Sequence, residues 1–201
     1  MQNNELEEAK KHLSANDAIM ARIIKKYKGI NLKGSTEYFV SLVYSIIGQQ
    51  LSVKAADAII NRFTDKYGVP EPSAILLADT EDMRALGISY AKIKYIKSLA
   101  ENMTNGILDF VGIENKSNDE IISMLTTVKG IGVWTSHMFL IFTMCRQDIL
   151  ATGDLGIKRA IMLNYNLENL PDEDYITELA KKNKWAPYES IACRYLWKTL
   201  D

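Results

Sequence analysis

Apolar residues along this chain recur three and four positions apart, and nowhere do they alternate in the two-residue rhythm of a half-buried strand. Behind Asp17, Ile19 and Ile23 share a face while Arg22, Lys25 and Lys26 turn away, so the pattern predicts a helix over 18–27 capped by Asp17. Phe39, Leu42, Val43, Ile46 and Ile47 mark a core helix over 36–47 that stops at Gly48. Ser52 caps the next, over 53–67. Gly48-Gln49-Gln50-Leu51 is therefore a tight exposed corner between two helices.

Pro70 and Pro72 open the next group, with a short helix over 73–78 and another over 81–86 capped by Thr80. Ser89 caps a long helix from Tyr90 to about residue 105, whose Lys92, Lys94 and Lys97 give it a basic side. A helix over 119–127 started by Asn118, the turn Val128-Lys129-Gly130-Ile131-Gly132 and an apolar helix over 133–145 form a pair joined by Gly-x-Gly. Residues 147–153 are extended, Asp154 caps 155–165, Pro171 opens a helix to Asn183, and a last helix runs over 188–200. Residues 1–12 are polar and acid-rich, and no helix is assigned to them. The expected fold is all-α, an orthogonal array of about ten helices in two lobes. A central helical domain over 35–146 holds the Gly-x-Gly pair, and both chain ends, 1–34 and 147–201, make the second lobe.

Composition narrows the class. The 201 residues, 47% hydrophobic and 24% charged, suffice for one substantial core or two small ones and exclude disorder and collagen. Lys+Arg 24 against Asp+Glu 25 leaves a net charge of -1, so any nucleic-acid binding must use a local patch. Cys145 and Cys193, the two cysteines, are too few for a four-thiolate zinc or iron-sulfur site and read as buried free thiols. His12 and His137 stand alone, a surface and a core residue, and no metal-chelating cluster is visible. The longest apolar stretches, 39–47 and 138–145, fall short of a membrane span, so a soluble, cytoplasmic protein with no membrane partner is expected.

The Gly-x-Gly turn brings the amides of Gly130, Gly132 and Val133 to the start of a helix, where partial positive charge seats an anion. Several blocks share a further likeness: Ser45-Ile46-Ile47-Gly48-Gln49-Gln50-Leu51-Ser52, Leu86-Gly87-Ile88-Ser89-Tyr90-Ala91-Lys92, and Val128-Lys129-Gly130-Ile131-Gly132-Val133-Trp134-Thr135-Ser136. They continue through Asp148-Ile149-Leu150-Ala151-Thr152-Gly153-Asp154-Leu155-Gly156-Ile157-Lys158 and Trp185-Ala186-Pro187-Tyr188 to Trp197. In that order and spacing the chain resembles the helix-hairpin-helix DNA glycosylase superfamily, in its DNA-3-methyladenine glycosylase II branch. The likeness covers nearly the whole chain. Two departures stand out: 201 helical residues leave no room for the N-terminal β-rich domain of the larger bacterial members, and Val128-Lys129-Gly130 replaces the Leu-Pro-Gly of many relatives.

The resemblance implies a glycosylase that removes 3-methyladenine and 7-methylguanine from duplex DNA and leaves an abasic site. Asp154, otherwise an ordinary N-cap, falls at the superfamily's catalytic aspartate and would stabilise the oxocarbenium-like sugar and orient the attacking water. Trp134 stands where strand-nicking relatives carry a lysine, which implies a monofunctional enzyme. Trp134, Trp197, Met138 and the weaker Tyr44 match base-pocket positions, where aromatic faces suit a cationic purine. Gln50 or Leu51 matches the wedge that fills the hole left by a flipped base, and Gln49 supports that loop. Lys129, Gly130, Gly132, Val133 and Thr135 would hold phosphate. The carbonyls of Thr126, Val128 and Ile131 match a site for Na+ or K+; no cofactor is required, the iron-sulfur ligands of another branch are missing, and a monomer is expected. The alternatives are a non-catalytic DNA- or lesion-binding module of this fold, a glycosylase for neutral lesions such as hypoxanthine or uracil, and a helical interaction protein with no nucleic-acid role.

Overall fold

The computed structural model describes residues 2–30 and 32–200. Among them the ordered elements are helices, with no strand. They are α1 (Gln2–Asn16), α2 (Ala18–Lys26), α3 (Tyr38–Gly48), α4 (Val53–Tyr67), α5 (Pro72–Leu77), α6 (Thr80–Ala85), α7 (Tyr90–Thr104), α8 (Asn118–Thr126), α9 (Val133–Met138), α10 (Leu155–Asn164), α11 (Glu173–Lys182) and α12 (Glu189–Trp197). No helix of the described residues is long and apolar enough to cross a membrane.

The chain divides into two compact units, one of residues 35–139 and the other of 1–34 with 140–201. In the first, α3 buries Phe39, Leu42, Val43, Ile46 and Ile47 against α4 and α7, which contribute Phe63, Ile93, Ile96 and Leu99. Each such side chain is worth about 1.5–3 kcal/mol of removed apolar surface. Tyr38, Phe110 and Phe139 pack ring against ring at one end of this core, with centroids 5.5 to 6.3 Å apart.

The second unit packs α1, α2, α10 and α12 together around the buried Asp17. Its Oδ1 accepts from the amides of Ile19 and Met20 at 2.8 and 3.1 Å, and Oδ2 accepts from Trp185 Nε1 at 2.9 Å and the Tyr165 hydroxyl at 2.5 Å. A helix cap thus also ties down two distant segments. Burial and the adjacent carboxylate hold the Tyr165 phenol far above its ordinary pKa, so it remains a donor.

Several local expectations change. Asp79, not Thr80, caps α6, and Ser117, not Asn118, caps α8 in a reciprocal box with Glu120. Residues 2–16 are helical although their polar pattern shows little stripe: among the side chains described there, only Ala9 and Leu13 reach the core. The apolar helix expected over 133–145 is α9 followed by a π-helical turn, Phe139–Thr143, and the boundary between units falls inside that turn after Phe139, seven residues before the expected Arg146. Cys145 is half-buried, its thiol donating to Leu32 O, while Cys193 is fully buried and desolvation pushes its pKa up to about 12.

Candidate active site

The hairpin between α8 and α9 is built on two buried apolar residues, Val128 and Ile131. Val128 N donates to Leu125 O at 3.1 Å, and Ile131 N to Val128 O at 3.0 Å. Gly130 takes φ +94°, and a Cβ there would lie 2.1 Å from Cγ of Tyr95 on α7. Glycine is required twice over, by the backbone and by the ring beside it. With the apolar pair turned in, Lys129, Gly132, Val133 and Trp134 face solvent at the start of α9, where the helix end is positive.

Thr135 departs from the expected phosphate contacts. It is buried, and its Oγ1 accepts from Gln49 Nε2 at 3.3 Å, so it braces the hairpin from inside. The same Gln49 amide nitrogen donates to Gly130 O at 3.0 Å. The corner that carries Gln49 ends α3, and Lys92 Nζ on α7 donates there to Ile47 O at 2.8 Å and Gln49 O at 2.7 Å. Immediately after these anchors Gln50 takes φ +59° and is exposed, as is Leu51 beside it. Both wedge candidates project from one braced corner. Nor is α7 uniformly basic outward: Lys97 Nζ donates to Ala78 O at 2.8 Å, which leaves Lys94 as the exposed member of the three.

Among the pocket candidates of this unit, Trp134 is 44% exposed and Met138 half-buried on α9. Tyr44 is half-buried on α3, its hydroxyl 3.2 Å from Thr64 Oγ1 on α4, which gives its polar end a partner inside the unit. Of the carbonyls matched to a cation, that of Val128 already accepts the Ile131 amide, with one lone pair committed to the turn. No group of three His, Cys, Asp or Glu residues able to hold a metal occurs among the described residues.

Asp154 lies in the other unit, 8% exposed at the N-cap of α10. Its Oδ1 accepts from Ile157 N at 2.8 Å and from Trp197 Nε1 at 2.8 Å. Capping and side-chain orientation are served by one atom. The Trp197 ring lies 5.4 Å from that of Phe142, and the Arg194 guanidinium sits 4.5 Å from the Phe142 centroid while donating to Ile141 O. At Gly156 a Cβ would approach Asp154 Oδ1 to 2.9 Å and the Trp197 indole to 3.0 Å. The missing side chain lets carboxylate and indole meet. Reading the sequence missed Lys92, Phe142, Arg194 and Gly156 as parts of these arrangements, because each acts through a residue far away in the chain.

A wide comparison places the chain. The pattern of the HhH-GPD superfamily of base excision DNA repair proteins matches residues 43–186, spanning the braced corner, the hairpin and Asp154. The chain belongs to that family. Family membership covers both units, and relatives extend the likeness nearly end to end. DNA-3-methyladenine glycosylase 1 of Schizosaccharomyces pombe is 36% identical over 96% of this chain and 87% of its own length. The alkylbase DNA glycosidase-like protein Mag2 of the same yeast is 32% identical over 94% and 92%. The solved structure of S. pombe Mag1 in complex with abasic DNA has a TM-score of 0.87, covering 96% of both chains. A DNA-3-methyladenine glycosidase from Bacillus halodurans is 37% identical, with a TM-score of 0.80 over 94% of this chain and 87% of that one.

Proposed function

We propose that the protein is an alkylbase DNA glycosylase of base excision repair, with Asp154 as its catalytic carboxylate. The likeness to DNA-3-methyladenine glycosylases over almost the whole chain supports the reaction class. The observation that carries the reading to a residue is the recessed Asp154 carboxylate, held by an amide and an indole.

The substrate is duplex DNA bearing 3-methyladenine or 7-methylguanine, purines whose methylation leaves a positive charge on the base. Such a base departs neutral, so one carboxylate suffices: it stabilises the positive charge growing on the sugar and receives the proton of the attacking water. Products are the free base and an abasic site. Trp134 in place of an amine nucleophile leaves no Schiff base to form, hence no strand cleavage. The face of Trp134 receives the cationic purine, with Met138 as apolar lining, while Trp197 first orients Asp154.

The duplex is held by the exposed amides at the start of α9 and by Lys129, and Gln50 or Leu51 fills the gap in the stack. A Na+ or K+ on the carbonyls of Thr126, Val128 and Ile131 would strengthen that phosphate seat, and the chemistry asks for no other cofactor. The protein works as a monomer wherever the cell keeps its DNA.

The test is release of methylated purine from alkylated duplex DNA by the wild type and by Asp154→Asn. Release that is fast and lost in the variant supports the reading. Equally slow release by both would leave a binding module of this fold, and release of hypoxanthine or uracil in preference would move the substrate to neutral lesions.

A further inference from the structure

Of the sequence blocks shared with the family, the one that ends in Ser89-Tyr90-Ala91-Lys92 touches none of the chemistry above. Lys92 lies in the first turn of α7, where the helix dipole disfavours a cation. Its partners explain the placement. The ammonium is half-buried and donates to Ile47 O and Gln49 O, two carbonyls at the C-terminal end of α3, where helices leave acceptors unsatisfied and negative charge accumulates. Burial lowers the lysine's pKa, and the two short contacts keep the charged form in place.

We propose that Lys92 is the positioning residue of the strand-opening corner, locking Gln50 and Leu51 in the conformation that enters the base stack. The two carbonyls it grips lie on the stretch of chain that leads directly into the turn, and Gln50, next after Gln49, sits in the left-handed region, which a residue with a side chain occupies only when its surroundings hold it. From the same corner the Gln49 amide reaches Gly130 O and Thr135 Oγ1, so Lys92 also sets the wedge at a fixed distance from the phosphate-binding hairpin. Tyr95, one turn further along α7, packs on Gly130. One helix thus braces both elements that touch DNA. A wedge that must replace a purine in the stack works only if the corner resists being pushed back.

This rests on the glycosylase reading, and the experiment separates the two. Single-turnover release of 7-methylguanine is measured from a duplex with the lesion opposite cytosine and from one with the lesion opposite an abasic residue, where the wedge has no base pair to break. Lys92→Met should slow release about tenfold on the paired duplex and less than about threefold on the gapped one, since the lost energy concerns opening alone. Lys92→Arg, which keeps two donors for the same carbonyls, should recover the paired rate to within about threefold. Binding to undamaged duplex should stay within about twofold, because phosphate contacts are untouched. Equal losses on both duplexes, or no loss on either, overturn the proposal. Gln49→Ala leaves the carbonyls that Lys92 grips but cuts the corner's tie to the hairpin, and because the same brace is loosened it must give the same split if Lys92→Met folds poorly. Should the wild type release no base at all, the glycosylase reading fails by itself. The wedge is then read from fluorescence of a 2-aminopurine next to the lesion, whose rise on binding must shrink in Lys92→Met.

Discussion

The two units hold their working parts in opposite ways. In residues 35–139 it is the backbone that is held: Lys92 and Gln49 donate from side chains to carbonyls at the corner and the hairpin, and the exposed residues between them are carried passively. In the unit of the chain ends a side chain is held: Asp154 is gripped at Oδ1 by its own helix and by Trp197, with Gly156 leaving the space. A braced backbone presents whichever side chain occupies the tip, so Gln50 and Leu51 are open to exchange. In the proposed reaction a braced carboxylate is not replaceable, because its charge would do the work.

The sharpest break in that comparison is Asp154→Asn. Removing the charge at the reacting sugar should lower base release by about a hundred- to a thousandfold in single-turnover assays, with undamaged-duplex binding unchanged. An equal loss of binding would mean that the residue serves the fold and not the reaction. Gly130→Ala attacks the other unit through its backbone, forcing a side chain into a left-handed φ and into the Tyr95 ring. It should cost about 3 kcal/mol, a Tm lower by roughly 6–12 °C for a chain of this size. A melting curve that does not move would show that the hairpin has another way to fold.

Trp197→Phe keeps an aromatic ring and deletes the indole donor to Asp154. A hydrogen bond to a charged group is worth about 1.5–3 kcal/mol, so base release should fall at least tenfold and the Tm by roughly 3–12 °C. Gly156→Ala strains the same contact by a few tenths of an ångström and should lower the rate by about threefold, in line with a small displacement of the carboxylate. If it destabilises the protein without slowing turnover, the glycine is a packing residue only. The smallest effect concerns the thiols: at pH 8 both remain protonated, as burial raises their pKa, so Cys193 should resist alkylating reagents until the chain unfolds, whereas half-buried Cys145 should react slowly in the folded protein.

Local signals account for much of what was legible in advance. Asp17, Ser52, Ser89 and Asp154 cap the helices that follow them, since a cap is decided by residues two and three positions away. Apolar spacing marked the helices of the core, and the ordered blocks from Ser45 to Trp197 carried the family. The π-helical turn after Met138 was invisible, because an apolar run reads alike whether its turns are α or π.

What the tertiary structure alone decided is how polar side chains spend their hydrogen bonds. Lys92 and Lys97 look like a solvated basic stripe until carbonyls 43, 45 and 19 residues away are seen to take them. Thr135 looks like a phosphate contact until Gln49, 86 residues distant, claims its hydroxyl, and the partner of the Trp197 N–H, Asp154, is 43 residues away. Periodicity and capping report forces between neighbours in the chain, so the sequence determined the helices and the family they form. A buried donor takes its partner from whatever the packing brings within reach, and that is settled only once the helices have met.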